Sequence, residues 1–150
     1  MNDDALMGAA LEQARLARDA GEVPIGAVVA VEGEIIGRGF NQPLRSGDPT
    51  AHAEIVAIRD AAGRAGNYRL TGATLYVTIE PCLMCVGAMV HARIETLVFG
   101  ASEPKAGAIE STQRAHEHPA LNHRMTVVAG MLAAECRDAM KRFFAVRRQD

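Results

Sequence analysis

Two short stretches constrain this chain more than any others. Pro49-Thr50-Ala51-His52-Ala53-Glu54 is answered, 30 positions after His52, by Pro81-Cys82-Leu83-Met84-Cys85. One imidazole and two thiolates are good zinc ligands, and a set of three leaves the fourth tetrahedral position open, whereas structural zinc sites close all four. An open position holds water, and zinc lowers the pKa of that water to ~7. Glu54 is the base that accepts the proton. The spacing also dictates geometry. Residues two apart on a regular helix are rotated by about 200°, so His52 and Glu54 converge only around a helix end. Cys82 and Cys85, three apart, share one face of a first turn. The metal is therefore expected between two helix N-termini, whose partial positive charge favours thiolates. Zinc and two thiolates sum to zero charge; four thiolates would leave −2 and blunt the Lewis acid.

Cys82-x-x-Cys85 alone would fit a redox pair or half of a zinc knuckle equally well. His52, Glu54, Pro49 and Pro81 turn the reading to a catalytic site. Cys136 lies in the apolar pattern of a late helix and reads as a small buried hydrophobe. His91, His116, His118 and His123 have no second ligand at a recognised spacing. Each is expected to be a surface or hydrogen-bonding histidine.

At 150 residues the chain reads as one compact domain, 1–150, able to bury a core without disulfides. Hydrophobic residues at 49% and charged residues at 23% exclude a disordered chain. No apolar run approaches the ~18 residues that a membrane span needs. The opening Met1-Asn2-Asp3-Asp4 lacks the basic start of a signal peptide, and the expected location is the cytoplasm. A net charge of −2 weighs against a non-specific nucleic-acid binder. Lys141, Arg142, Arg147 and Arg148 nevertheless cluster near the end of the chain, either as a solvated helix end or as an RNA contact.

Apolar spacing predicts helices over about 3–20, 52–65, 81–93 and 132–147. β-rich runs at 25–31, 34–40, 73–79, 95–100 and 125–129 predict five strands, the first two joined in a hairpin by Glu32-Gly33. The segment 41–51 reads as irregular, and 102–124 as a long connection with one helical turn. Strands alternating with helices after residue 52 predict parallel pairings in a sheet covered on both faces.

His52-Ala53-Glu54 with Pro81-Cys82-x-x-Cys85 resembles the zinc-dependent nucleobase deaminases. Within them the chain is most similar to bacterial tRNA-specific adenosine deaminases, over nearly its whole length. The segments carrying the resemblance are 22–27, 48–54, 67–70, 75–82, 98–101, 121–124 and 135–136. It implies a three-layer α/β/α, cytidine-deaminase-like fold with a central five-stranded mixed sheet. It also implies one zinc per chain, a homodimer, and hydrolysis of adenosine to inosine at the wobble position of a tRNA anticodon stem-loop. On that resemblance, Glu54 takes the proton of the attacking water, delivers it to N1 of adenine and later protonates the departing amine. Asn41 matches a base-contacting position, Val23, Pro24 and Ile25 match the pocket wall, and Ala53 and Pro81 line the same site. Glu103, Lys105, Asn122, Phe144 and Arg147 match positions toward the RNA, with Phe143 and Phe144 open to a core role instead.

The chain departs from the family where Glu103 replaces an Asp and where Ile109 and Glu110 replace small residues. A carboxylate beside a phosphate backbone repels it, so either Glu110 points away or the RNA path differs. Two other functions use the same motif. A deaminase of a free base or nucleoside, of guanine or cytosine type, would need the same zinc and Glu54. A non-catalytic, zinc-stabilised RNA-binding subunit would not need Glu54, and the carboxylate counts against it.

Overall fold

The computed structural model describes residues 1–149, with side chains described through Arg147, so Arg148 of the basic terminus lies outside the described side chains. Helix α1 (Asp3–Asp19) starts where the Asn2 side chain accepts a hydrogen bond from the Ala5 amide at 2.8 Å. Asp3 and Asp4 sit in its first turn and Arg18 in its last, each complementing the helix dipole. Leu6, Met7, Ala10, Ala14 and Ala17 form its buried stripe. Strands β1 (Gly26–Val31) and β2 (Glu34–Phe40) form the expected hairpin. Glu32 and Gly33 both have positive φ, 51° and 76°, as the tight turn matching strand twist requires.

Next come α2 (Pro43–Ser46), α3 (Ala53–Ala65), β3 (Ala73–Ile79), α4 (Leu83–His91) and β4 (Thr96–Ala101). A 3₁₀ turn at Ala115–Glu117, β5 (Thr126–Ala129) and α5 (Ala133–Gln149) complete the order. The sheet runs β2-β1-β3-β4-β5. β1 is antiparallel to both its neighbours, while β3, β4 and β5 are mutually parallel, with Leu75 opposite Leu97 and Leu97 opposite Val127. This is the expected mixed five-stranded sheet.

Alternate residues of the inner strands feed two separate cores, which is why those strands read as continuous apolar runs. Val29, Leu75, Val77, Leu97 and Phe99 pack with Ala53, Ala57 and Ala61 of α3 and Val86 and Met89 of α4. Val28, Ala30, Tyr76 and Val98 pack on the other face, against Leu6, Met7 and Ala10 of α1 and Cys136 of α5. The three layers follow, and burial of each large side chain such as Leu75, Leu97 or Phe99 contributes ~1.5–3 kcal/mol. Cys136 is buried, as read from its pattern, and Phe143 takes the core role left open for it.

Two boundaries differ from the sequence reading. The segment 41–51 is not wholly irregular, because Pro43 opens the four-residue helix α2 and Gly47 ends it in the left-handed region. That turn is fixed from outside: the Glu22 carboxylate accepts hydrogen bonds from the Leu44 and Arg45 amides at 3.1 and 2.7 Å. Helix α4 begins at Leu83, not at Pro81, because Cys82 has extended angles (φ −80°, ψ 174°) and is itself the cap.

Candidate metal centre and active site

His52 and Cys82 occupy equivalent places in the fold. Each is the extended N-cap residue of its helix, His52 for α3 (φ −72°, ψ 153°) and Cys82 for α4, and neither side chain is spent on capping. The cap geometry turns both side chains out of the helices toward each other. Glu54 and Cys85 follow in the first turns, and both are buried. The two helix starts expected from the spacing therefore face one another.

His52 Nδ1 stands 3.5 Å from the Sγ of Cys82 and 3.5 Å from the Sγ of Cys85. The three donor atoms lie within 4.8 Å of one another. Zinc bonds of ~2.3 Å to sulfur and ~2.0 Å to nitrogen, set at a tetrahedral angle, space sulfur and nitrogen about 3.5 Å apart. The donor set thus fits zinc in chemistry and in size, with one position left for water. Among the described residues no other group of three such side chains is gathered in this way.

The electrostatics of the four groups are coupled through short contacts. The Cys85 thiol hydrogen-bonds Cys82 and, against the effect of burial, holds the Cys82 thiol down at about 4, with His52 contributing. Cys85 is driven far up by the same bond and by burial. His52 is raised, chiefly by its hydrogen bond to Cys82. Burial pushes the Glu54 carboxyl up to about 7. A carboxyl with that proton affinity is suited to accepting and returning protons near neutral pH.

The residues expected on the substrate side are tied by backbone hydrogen bonds to one another and to the turn before His52. Asn41, buried directly after β2, donates its backbone N–H to Ile25 O at 3.0 Å, and Gln42 N donates to Ala51 O at 2.9 Å. The Asp48 carboxylate accepts from both the amide and the hydroxyl of Thr50, holding the turn that leads into His52. Pro24 is buried, Val23 and Ile25 are half-buried, and Ala53 is the buried first residue of α3. Pro81 is buried directly before Cys82.

The residues matched to RNA positions are more dispersed. Phe144 is 42% exposed and lines a cleft with Glu103, Ser102, Arg137 and Lys141. Lys105 is exposed, and its amide donates to the Glu103 carboxylate at 2.8 Å. Asn122 is exposed and accepts from Arg93 at 2.9 Å. Arg147 is engaged elsewhere, donating to Gly21 O at 2.6 Å and lying 4.5 Å above the Phe143 ring. Ile109 is fully buried, whereas Glu110 is exposed. The Glu110 carboxylate acts on Arg114 and His116.

Two buried carboxylates had no role in the sequence reading. Glu22 caps α2 as described. Glu80, 3% exposed, closes β3 and precedes Pro81. Burial would raise its carboxyl, but hydrogen bonds from Glu110, Ser111 and Glu103 hold it at about 2. The available signal was a lone acid at each end of an apolar, motif-bearing segment, since a buried charge must be fully hydrogen-bonded. His116 is a second difference: it is 5% exposed and its Nδ1 has no hydrogen-bond partner, where a surface or bonded histidine was expected. His118 Nδ1 accepts from Ala120 N, and His123 Nε2 lies 2.7 Å from Ile94 O, as expected of bonded histidines.

Residues 1–101 match the family described as the cytidine and deoxycytidylate deaminase zinc-binding region. Fold and donor set together define that class, the zinc-dependent hydrolytic deaminases. The tRNA-specific adenosine deaminase of Haemophilus influenzae is 48% identical over 149 residues, covering 99% of this chain and 86% of the relative. That of Bacillus subtilis is 44% identical over 142 residues, covering 95% and 88%. A solved structure from work on A-to-I editing by tRNA:A34 deaminases at the wobble position superimposes with a TM-score of 0.88. It is 44% identical and covers 90% of this chain and 98% of its own. The chain belongs to the family of tRNA-specific adenosine deaminases. No helix among the described residues is long and apolar enough to cross a membrane.

Proposed function

We propose that this protein hydrolyses adenosine to inosine at the wobble position of a tRNA anticodon stem-loop, releasing ammonia. The observation that carries the reading is the placement of Glu54. A carboxyl raised by burial stands at the start of α3, two residues from one donor of the zinc set and in contact with another, Cys85. Pure metal storage or structural stapling has no use for it.

His52, Cys82 and Cys85 would hold the zinc, which when bound lowers the pKa of water to ~7. Glu54 accepts the proton of the water that attacks C6 and passes it to N1 of adenine. Glu54, again a carboxylate, then takes the proton of the new C6 hydroxyl and hands it to the amine as the C6–N bond breaks. The C6 carbonyl of inosine forms, ammonia leaves, and acid and base work alternate on one group. Asn41 hydrogen-bonds the base, while Val23, Pro24, Ile25, Ala53 and Pro81 wall the pocket. An anticodon-loop base is already unpaired, so turning it into the pocket costs little. Glu103, Lys105, Asn122 and Phe144 lie on the RNA side, with Phe144 as a stacking surface and Lys105 as a phosphate contact, while Arg147 is held by Gly21 and Phe143. The enzyme works as a cytoplasmic homodimer with one zinc per chain. The named relatives, all tRNA deaminases, support RNA over a free base as substrate.

The test is direct. Incubation with an anticodon-bearing arginine tRNA yields inosine, and Glu54→Ala keeps one zinc per chain by metal analysis but loses at least about 10²-fold in turnover. Absence of inosine with the wild type, or equal turnover in the variant, overturns the reading.

A further inference from the structure

The Glu80 carboxylate is surrounded by one loop. Oε2 accepts hydrogen bonds from three successive amides, Ile109, Glu110 and Ser111, at 3.1, 2.8 and 3.0 Å. Oε1 accepts from the Glu103 amide at 3.0 Å and from the Ser111 hydroxyl. Consecutive amides converging on one point form a nest of the kind that elsewhere binds a ligand anion. Here the anion is internal, supplied by the residue two before Cys82. The loop is tied down at a further point, where Ala108 N donates to Pro81 O at 2.9 Å. Gly107 closes against the same carboxylate, and a Cβ there would also stand 2.6 Å from Glu103 O. All the donors come from 103–111, the segment that carries Glu103 and Lys105.

We infer that Glu80 is a positioning residue. Its carboxylate fixes the 103–111 loop relative to the end of β3 and the Cys82 cap, so the RNA contacts of that loop depend on a side chain that touches no RNA. This rests on the proposed tRNA activity. A short chain of atoms, from the loop amides through Glu80 and Pro81 to Cys82, links loop and metal centre beside the single Ala108–Pro81 hydrogen bond. The five hydrogen bonds fall on two ionised, acceptor-only oxygens, which no other group in that chain of atoms offers. Glutamine has the same length but presents an NH₂ to donors that need an acceptor, leaving at least one buried amide unpaired.

The experiment compares wild type, Glu80→Gln and Ser111→Ala, each zinc-loaded. Deamination is followed on an anticodon stem-loop, and amide hydrogen exchange over 103–112 is measured without RNA. In Glu80→Gln, KM for the stem-loop rises about tenfold, as expected from the loss of one charge-assisted hydrogen bond. One zinc per chain remains, kcat stays within a factor of about three, and exchange over 103–112 accelerates. Ser111→Ala, which removes one donor and leaves the carboxylate in place, shifts KM and exchange in the same direction by less. A fall in kcat with unchanged KM, loss of zinc, or unchanged exchange in Glu80→Gln would overturn the inference. Failure of the wild type to form inosine overturns the tRNA activity instead, and the exchange comparison still decides what Glu80 holds.

Discussion

Gly37 of β2 lies so close beneath α3 that a Cβ on it would stand 2.6 Å from the Ala61 amide nitrogen. Gly39, on the same face, would bring a Cβ to 2.6 Å from Ala53 O. Ala53, Ala57 and Ala61 are the matching small residues on the helix, and all three are fully buried. Glycine against alanine thus sets the height of α3 over the sheet. Because His52 caps that helix, it also sets the position of the imidazole relative to Cys82.

A side chain on β2 at this contact should therefore affect both stability and metal binding. Gly37→Val is expected to destabilise the fold by about 3 kcal/mol, since neither partner is a flexible side-chain end that can move aside. Urea unfolding measures the loss, and zinc affinity should fall with it. A variant as stable as the parent would show that α3 tolerates displacement.

Stability should depend on pH through His116. Its ring is buried with Nδ1 unpartnered, and Nε2 is 4.0 Å from Glu117 Oε1. Burial holds its pKa below 6.5 against the attraction of Glu117 and Glu110, with Arg114 and Arg124 reinforcing burial. The unfolded chain therefore takes up the proton first, so stability is fully present above about 6.5 and declines as pH falls below it. Thermal or denaturant unfolding across pH 7.5 to 5 should show that decline, and His116→Phe should flatten it. An unchanged slope in the variant would assign the pH dependence to other groups.

Removing the metal should loosen the junction between α3 and α4. The ligands come from the caps and one first turn of two helices that otherwise meet through few residues, and a ligand at about 1,000 times its Kd stabilises the folded state by about 4 kcal/mol. Chelation is expected to lower the melting temperature and abolish deamination, both restored by stoichiometric zinc. Apo-protein that melts with the holo-protein would mean the helix starts are held by packing alone.

The metal centre was legible in the sequence because its geometry is local to two helix starts. His52 and Glu54 two apart, and Cys82 and Cys85 three apart, converge only if His52 stands outside the first turn, and the extended angles of His52 and Cys82 realise that arrangement. The strands were legible for a similar reason, since a run buried on both faces, such as 73–79, needs no partner to be recognised. Glu22 and Glu80 were not legible as scaffolding. Their partners lie 22–23 and 23–31 positions away, and no local periodicity relates a carboxylate to the amides of a distant loop.

The RNA side divides along the same line. Sequence placed Phe144 and Arg147 together on the last helix, three apart. Tertiary structure separated them, leaving the Phe144 ring in a cleft beside Glu103 while Arg147 is drawn to Gly21 and Phe143. Helical spacing determines which residues share a face, but only the packing of α5 against α1 and the sheet decides where each part of that face points. The sequence by itself determined the zinc ligands, the carboxylate beside them, the five strands and the family. Tertiary structure alone decided which buried charges order the loops around that centre, because a charge removed from water is tolerated only where the completed fold supplies its hydrogen-bond donors.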